Sequence, residues 1–305
     1  ILENNGSGIF KNITDSIAPD LNKIGMITDG GWIDFDRDGD KDLVIVGHWM
    51  PITLFENHSG LLKKSNIKVF DKTNGWWNSL LIEDLNQDGY DDLIIGNHGL
   101  NSRFHATKEK PITMYINDFD NNNSIEQVIF QYNGDSAYTM SLKHDLVMQM
   151  PSLKKRYLKN NSYKNQTAND IFSPKKISTS IKNFIYDLET AVYINDSSFF
   201  KKLSIPIEAQ FSPTSAIHVN DYDYDGFKDI LLGGNLYNVK PEIGRYDAQY
   251  GLLLLGNNKN FKKINNNLSG IKFNGQTRDL LTLKIQSKNI LFVLNNNDKL
   301  QSFIY

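Results

Sequence analysis

Asp34, Asp36 and Asp38 fall at alternate positions ahead of Gly39, and Asp40 and Asp42 complete the run. Carboxylates at this spacing can work as acid–base pairs, or they can wrap a hard cation in oxygen. Ligands at loop positions 1, 3, 5 and 9, with a backbone carbonyl at 7 and Gly at the sharp turn, make a calcium loop. The pattern recurs as Asp84, Asn86, Asp88, Tyr90 and Asp92, and as Asp221, Asp223, Asp225, Phe227 and Asp229. The residue at position 7 (Asp40, Tyr90 or Phe227) would serve through its carbonyl. A variant runs Asp118, Asp120, Asn122, Ser124 and Glu126, with Asn123 in place of Gly. Asn is the next most tolerant residue of a left-handed backbone.

Regular repetition beside a turn residue argues for metal ligands over acid–base pairs. Mg2+ demands six-coordinate geometry and keeps water, so three to four structural Ca2+ sites are the expectation. Left without a cation, the clustered carboxylates repel one another and their pKa values rise. A site of even weak affinity fills at the roughly millimolar calcium outside cells. Structural pins are therefore expected rather than a regulatory sensor.

The elements that position these loops follow from what comes after them. Leu43–Gly47, Leu93–Gly96 and Ile230–Gly233 are short apolar runs ending in Gly, not the amphipathic helix that leaves an EF-hand. Each loop therefore feeds a β-strand. A second unit also repeats: Ile52–Asn57 with Gly60–Lys64, Ile1–Asn4 with Gly8–Lys11, Val192–Asn195 with Phe199–Lys202, and Leu253–Gly256 with Asn260–Lys263. Each reads as a hairpin. Strand, acidic loop, strand, longer connection, strand, turn, strand gives four strands per repeat, and radial arrays of such units are β-propellers. The expected fold class is all-β, a single propeller of about five four-stranded blades across residues 1–305.

In chain order, residues 1–14 read as the last two strands of a blade whose first half is missing, or else as strands that complete the final blade in the manner of a propeller's closure. The blade of residues 32–70 begins at Trp32. The next starts at Trp76 and Trp77, with outer strands expected at Ile112–Asn117 and Gln127–Tyr132 around the Asp118–Glu126 loop. Leu142, Leu146, Met150 and Leu153 follow a helical period, so a helical insertion is expected over about 134–174. Its Lys154-Lys-Arg156 cluster reads as a solvated helix face rather than a membrane contact. Asp279–Ile285, Asn289–Asn295 and Leu300–Tyr305 read as three further strands.

Composition excludes several functions. A formal net charge of −2 over 305 residues gives no electrostatic footprint for nucleic acid or an anionic membrane. With no cysteine there are no disulfides, thiolate nucleophiles or zinc–thiolate sites. No apolar run approaches the roughly 20 residues of a transmembrane helix. The chain starts at Ile1 without a visible signal peptide, and is read as a processed or truncated piece, compatible with a lipid anchor upstream.

The acidic loop ahead of an apolar strand ending in Gly resembles the FG-GAP, or VCBS, repeat, which builds integrin α-chain propellers and many exported bacterial proteins. Gly47–Pro51 (Gly-His-Trp-Met-Pro), Gly96–Asn101 (Gly-Asn-His-Gly-Leu-Asn), Gln149–Lys154, Ala209–Pro213 and Gly244–Ala248 occur in that order. Together they resemble the propeller region of the VCBS-repeat proteins related to cartilage acidic protein, abundant in Bacteroidota. The resemblance implies a calcium-stabilised propeller that is secreted or cell-surface, outer-membrane associated in a bacterium.

Blade topology separates two ends. The first and third turns of a meander share one end, which puts all four acidic loops there. The long segments Gly47–Pro51 and Asn97–Lys110, the helical insertion and Asn235–Gln249 fall at the other. Loops of that length usually carry function. Integrin-type propellers, by resemblance, also hold calcium opposite their ligand. The candidate ligand residues are His48, Trp49, Asn97, His98, Asn101, Arg103, Asn235, Tyr237, Arg245, Tyr246 and Asp247. Against this stands a plain reading in which Trp49, Tyr237 and Tyr246 cap the core while Arg245 and Asp247 bond each other or the backbone.

No His-Glu-x-x-His helix, Gly-x-Ser-x-Gly elbow or phosphate-cradling loop is present. The expectation is a non-enzymatic binding or scaffold module with a protein or glycan partner. The alternative is a calcium-dependent, lyase-like polysaccharide enzyme built from His98, Arg103 and Arg245.

Overall fold

A computed structural model describes residues 1–197, 199–257 and 259–305. They form two compact units: residues 1–103 with 188–305, and residues 104–187.

In the larger unit the apolar runs become interior strands. Asp42–Met50, Asp92–Gly96 and Asp229–Gly234 are buried along nearly their whole length. Each is the second strand of an antiparallel four-stranded sheet. The first sheet runs Met26–Ile33, Asp42–Met50, Thr53–His58, Leu61–Lys64, with Gly75–Trp76 also paired to Asp42–Met50. The second runs Ser79–Glu83, Asp92–Gly96, Ala191–Asn195, Phe200–Leu203. The third runs Thr214–Asn220, Asp229–Gly234, Leu252–Gly256, Phe261–Lys263. A three-stranded sheet follows, Thr277–Ile285, Lys288–Asn295 and Gln301–Ile304, while Leu2–Asn4 pairs with Phe10–Asn12.

The first strands of successive sheets are neighbours: Met26–Ile33 beside Ser79–Glu83, that beside Thr214–Asn220, and that beside Thr277–Ile285. Side chains alternate across a strand, so each inner strand serves two cores. Leu93 and Ile95 pack with Val44 and Val46 of the first sheet, while Ile94 packs with Ile230 and Leu232 of the third. Leu231 turns the other way, onto Leu280, Leu291 and Val293. Leu43 and Ile45 are covered by Ala18 and Ile17 from the N-terminal segment. Sheets stacked face to face in sequence around their first strands are a β-propeller-like arrangement.

The outer strands of the second sheet differ from the sequence expectation. Ile112–Asn117 and Glu126–Asn133 do not complete it; Ala191–Asn195 does, with Leu93 opposite Tyr193. The reason is that residues 104–187 bury their own apolar surface. Their sheet runs Ser136–Thr139, Glu126–Asn133, Ile112–Asn117, Ile181–Ile185. Val128 and Phe130 pack under Leu146, Met150, Leu153, Ile171 and Phe172. The expected helical segment is present as Lys143–Gln149, Leu153–Arg156, Ala168–Ile171 and Pro174–Thr179, inside a larger insertion. Of the periodic apolar residues, Leu142 is exposed and the other three are core. Arg156 of the basic cluster is not simply solvated: its guanidinium donates to the Ile171 carbonyl at 3.0 Å.

Candidate functional site

Three of the acidic loops belong to the larger unit and share one backbone design. Position 6 is left-handed in each, with φ of 93° at Gly39, 87° at Gly89 and 91° at Gly226. Position 4 is left-handed too, at Arg37, Gln87 and Tyr224 (φ 60–61°). The first carboxylate then folds the loop over itself. Asp84 accepts from Asp88 N at 3.2 Å and Gly89 N at 2.8 Å, and Asp221 from Asp225 N at 3.1 Å and Gly226 N at 3.0 Å. Oxygens of Asp34, Asp36 and Asp38, and of Asp221, Asp223 and Asp225, lie within 4.8 Å of one another. Asp34 Oδ1 and Asp40 Oδ1 are buried with no hydrogen-bond partner. The second loop has Asn86 at position 3, which leaves it fewer carboxylates to gather.

Position 9 has a further task. Asp42 accepts from Phe35 N at 2.9 Å and Asn57 N at 2.8 Å. Asp92 accepts from Leu85 N at 2.9 Å and Asn195 N at 2.8 Å, and Asp229 from Tyr222 N at 2.8 Å and Gly256 N at 2.9 Å. All three lie outside the tight clusters and latch the loop's second residue to the end of the third strand. A carboxylate has about four lone-pair sites, so each latch keeps acceptor capacity. Burial raises the carboxyl pKa of all three, that of Asp92 to about 7, with the two N–H donors pulling the other way.

The fourth acidic loop lies in the inserted unit, in the hairpin between Ile112–Asn117 and Glu126–Asn133. Asn123 takes the left-handed position at φ 67°, and oxygens of Asp118, Asp120 and Glu126 gather within 4.8 Å. Lys176 places its ammonium on the Asp118 carbonyl and 2.7 Å from Asn121 Oδ1.

At the other end of the larger unit's strands is a cleft of about 600 Å3. Thr28, Ser215 and Arg278 each stand at a register break in the first strand of their sheet, and Asn78 immediately precedes the first strand of its own. A bulge re-aims one side chain out of the alternating pattern, and here all four residues line the cleft. His48, Trp76, His98, Pro213, Asn235 and Leu236 complete its wall. His48 Nε2 lies 3.3 Å from Asn78 Oδ1. Trp76 is held edge to face between Trp49 at 5.7 Å and His98 at 5.1 Å, and His98 meets Tyr246 at 4.8 Å. Trp49 has φ 63°, a strained value for a bulky residue at another register break. Burial, helped by nearby His48, lowers the His98 pKa to about 4, which keeps its ring neutral.

The candidate ligand residues thus divide. His48 and His98 face the cleft, with Trp49 and Tyr246 behind its aromatic wall. Asn97 and Asn235 are buried brackets instead. The Asn97 amide serves Trp76 N, His98 N and the Glu189 carbonyl; that of Asn235 serves Ser212, Gln249 N and the carbonyls of Gln249 and Gly275. Their position after Gly96 and Gly234, where a Cβ would strike a neighbouring carbonyl at 2.5 or 1.7 Å, explains the tight stitching. The Asn235 carbonyl accepts from Arg278 Nη1 at 3.2 Å. Asn101 donates to the Phe211 carbonyl at 3.1 Å, and Arg245 covers the Tyr237 ring at 5.3 Å. Asp247 is exposed. Arg103 pulls the Tyr246 phenol down against the larger upward push of burial. Sequence reasoning did not pick out Thr28, Trp76, Asn78, Ser215 or Arg278; for Thr28, Ser215 and Arg278 the reason is that a register break has no residue signature.

Residues 34–95 match the FG-GAP-like repeat family. No curated protein matches the chain. Among solved structures, a mutant of B. megaterium levansucrase is similar at 11% identity over 99% of this chain and 85% of that chain, with a TM-score of 0.24. At that score the likeness carries no argument.

Proposed function

We propose that this chain is a non-enzymatic, calcium-stabilised FG-GAP β-propeller, secreted or held at the cell surface, that binds a protein or glycan partner in the cleft. One observation carries the reading: register breaks in the first strands of three sheets turn polar side chains into a single cleft, lined by donors, acceptors, aromatic rings and the Arg278 guanidinium. The calcium part is supported by oxygens gathered at the loop tips and by the partnerless buried Asp34 Oδ1. Asp34, Asp36 and Asp38, and their counterparts at 221, 223 and 225, would hold the ion, which would neutralise their mutual repulsion. An extracellular setting fits because weak calcium loops fill there. Association with an outer-membrane complex follows from the repeat's usual bearers and belongs to this proposal.

A lyase-like enzyme is the weaker reading. Arg245 is engaged on Tyr237, and burial drives the Tyr246 phenol away from the range of a useful base. Incubation with a panel of acidic polysaccharides, followed by assays for unsaturated and reducing ends, tests this. No product is expected; release that is lost in His98→Gln would replace binding with catalysis. Exhaustive chelation is expected to lower the melting temperature, and Ca2+ to restore it. An unchanged melting temperature would remove calcium from the proposal.

A further inference from the structure

Among the described residues lining the cleft, Arg278 is the one Lys or Arg, and no Asp or Glu lines it. The guanidinium is oriented by neutral oxygens alone. Nη1 donates to the carbonyls of Asn235 at 3.2 Å and Thr277 at 3.0 Å, and Nη2 to Gln276 Oε1 at 3.3 Å. Its Nε has no acceptor among the described residues. The carboxylates next in sequence are turned elsewhere: Asp279 Oδ1 accepts from Leu280 N at 2.8 Å, and Asp29 from Gly30 N at 2.8 Å and Leu80 N at 2.7 Å. Thr28, Asn78 and Ser215 occupy the same place in the other three sheets, so a cation stands where the fold elsewhere puts a small neutral polar group. Burial costs the guanidinium solvation and lowers its pKa, and no carboxylate among the described residues pairs with it.

We propose that the cleft binds a hexuronic acid residue of a polysaccharide, with Arg278 taking the carboxylate. This rests on the binding reading above. A guanidinium fixed by three acceptors presents its remaining edge as a ready fork for a planar carboxylate. The pyranose hydroxyls match the donors and acceptors at Asn78, His48 and Ser215. Trp76, half-buried and fixed by two edge contacts, offers a rigid apolar wall to the C–H face of the ring. A carboxylate on a peptide would use Arg278 equally well. It would leave the aromatic wall and the row of small polar groups without a counterpart, so the sugar is favoured.

The test is isothermal titration of the intact, calcium-loaded protein with oligomers of galacturonate, mannuronate, guluronate and glucuronate. Fully methyl-esterified oligogalacturonate and hexaglutamate serve as controls. One free uronate oligomer is expected to bind, with affinity falling roughly 10- to 100-fold on esterification and by a similar factor in Arg278→Gln. Trp76→Ala is expected to weaken the same oligomer. Esterification needs no variant, so a misfolded Arg278→Gln leaves the proposal testable. Binding that survives both esterification and Arg278→Gln overturns it. So does hexaglutamate binding as tightly as any uronide; the cleft then remains a binding site, for a peptide. Uronides held through calcium at the acidic loops would ignore Arg278→Gln and fail in Asp34→Asn, again overturning the assignment. If no uronide binds, the uronate assignment falls alone; the binding reading falls with it only if Trp76→Ala and Arg278→Gln also leave every protein or neutral-glycan interaction unchanged.

Discussion

Arg37 lies over the Tyr90 ring at 3.8 Å while its Nε donates to the Gly89 carbonyl at 2.9 Å and its Nη2 to the Asp88 carbonyl at 3.0 Å. Position 4 of one acidic loop thus grips positions 5, 6 and 7 of the next. Gln87, at position 4 of the second loop, repeats the move on the Gly226 carbonyl of the third at 2.6 Å. The left-handed backbone at position 4 is what throws these side chains outward, so the φ that looks strained in isolation links the three loops in series.

Removing the first link is expected to loosen the second loop more than the first. Arg37→Ala should cost about 1 kcal/mol of unfolding free energy, because its contacts are exposed and partly replaced by water. It should also weaken calcium binding in the second loop. Arg37→Lys should recover little, since a single ammonium cannot span two carbonyls and a ring. Urea denaturation with and without Ca2+ reads both effects; equal stability for Arg37→Ala and wild type would make the contact incidental.

The loops should not fill alike. The first and third gather three carboxylates at their tips, the second two and an amide, and the fourth has the Lys176 ammonium on its own backbone. Calcium titration of the chelated protein is therefore expected to fill loops 34–42 and 221–229 first and 118–126 last. Asp36→Asn and Asp223→Asn should each remove a tight step from the isotherm, and Asp120→Asn only a weak one. Loss of a tight step on Asp120→Asn would mean that Lys176 helps to preorganise the fourth loop rather than competing with the ion.

The sequence carried the sheets further than it carried the site. Apolar runs ending in Gly marked the second strands of the first three sheets, and the segment read as a hairpin at Val192–Lys202 supplies the outer strands of the second. Proximity in sequence argued for Ile112–Asn117 instead. That hairpin failed to join because Val128, Phe130 and Phe172 had a core of their own to fill. At the cleft, the residues chosen by loop length divide: His48 and His98 line it, while the side chains of Asn97 and Asn235 are hydrogen-bonded into the backbone around them. A polar residue after a Gly in a close backbone crossing is consumed by the crossing. Arg278 was invisible because an Arg in a predicted strand reads as a solvent-facing position, and only the register break turns it inward.

His98 gives the chain an acid-side weakness whose sign can be worked out. Its pKa in the fold is about 4, against an ordinary 6.5, because burial disfavours the charged ring. The unfolded chain therefore binds the proton more readily between these values. Stability from this group is complete above pH 6.5 and is lost as pH falls through about 4. Near pH 4 the loss amounts to roughly 3 kcal/mol. His98→Gln lacks this titration, so the gap in unfolding free energy between variant and wild type should move in the variant's favour as pH drops from 7 to 4. A gap that stays constant would show that the ring is hydrated and titrates normally.

The insertion should be dispensable to the sheet it interrupts. Residues 104–187 leave and return between the second and third strands of that sheet, where the host closes the gap with its own bonds: Gly99 N to the Leu188 carbonyl at 2.8 Å and Asn97 N to Thr190 Oγ1 at 3.1 Å. Every rung of the Asp92–Gly96 ladder is made within the host. Within the insertion, Val128, Phe130, Leu146, Met150, Ile171 and Phe172 share one apolar cluster. A short Gly-Ser bridge from Arg103 to Leu188 spans chain ends already held near one another, so ordering it costs little entropy. Such a protein is expected to keep a cooperative thermal transition and the calcium response of loops 34–42, 84–92 and 221–229, while losing that of 118–126. A non-cooperative melt, or loss of the calcium response of the three host loops, would show that the second sheet needs the insertion to hold its register.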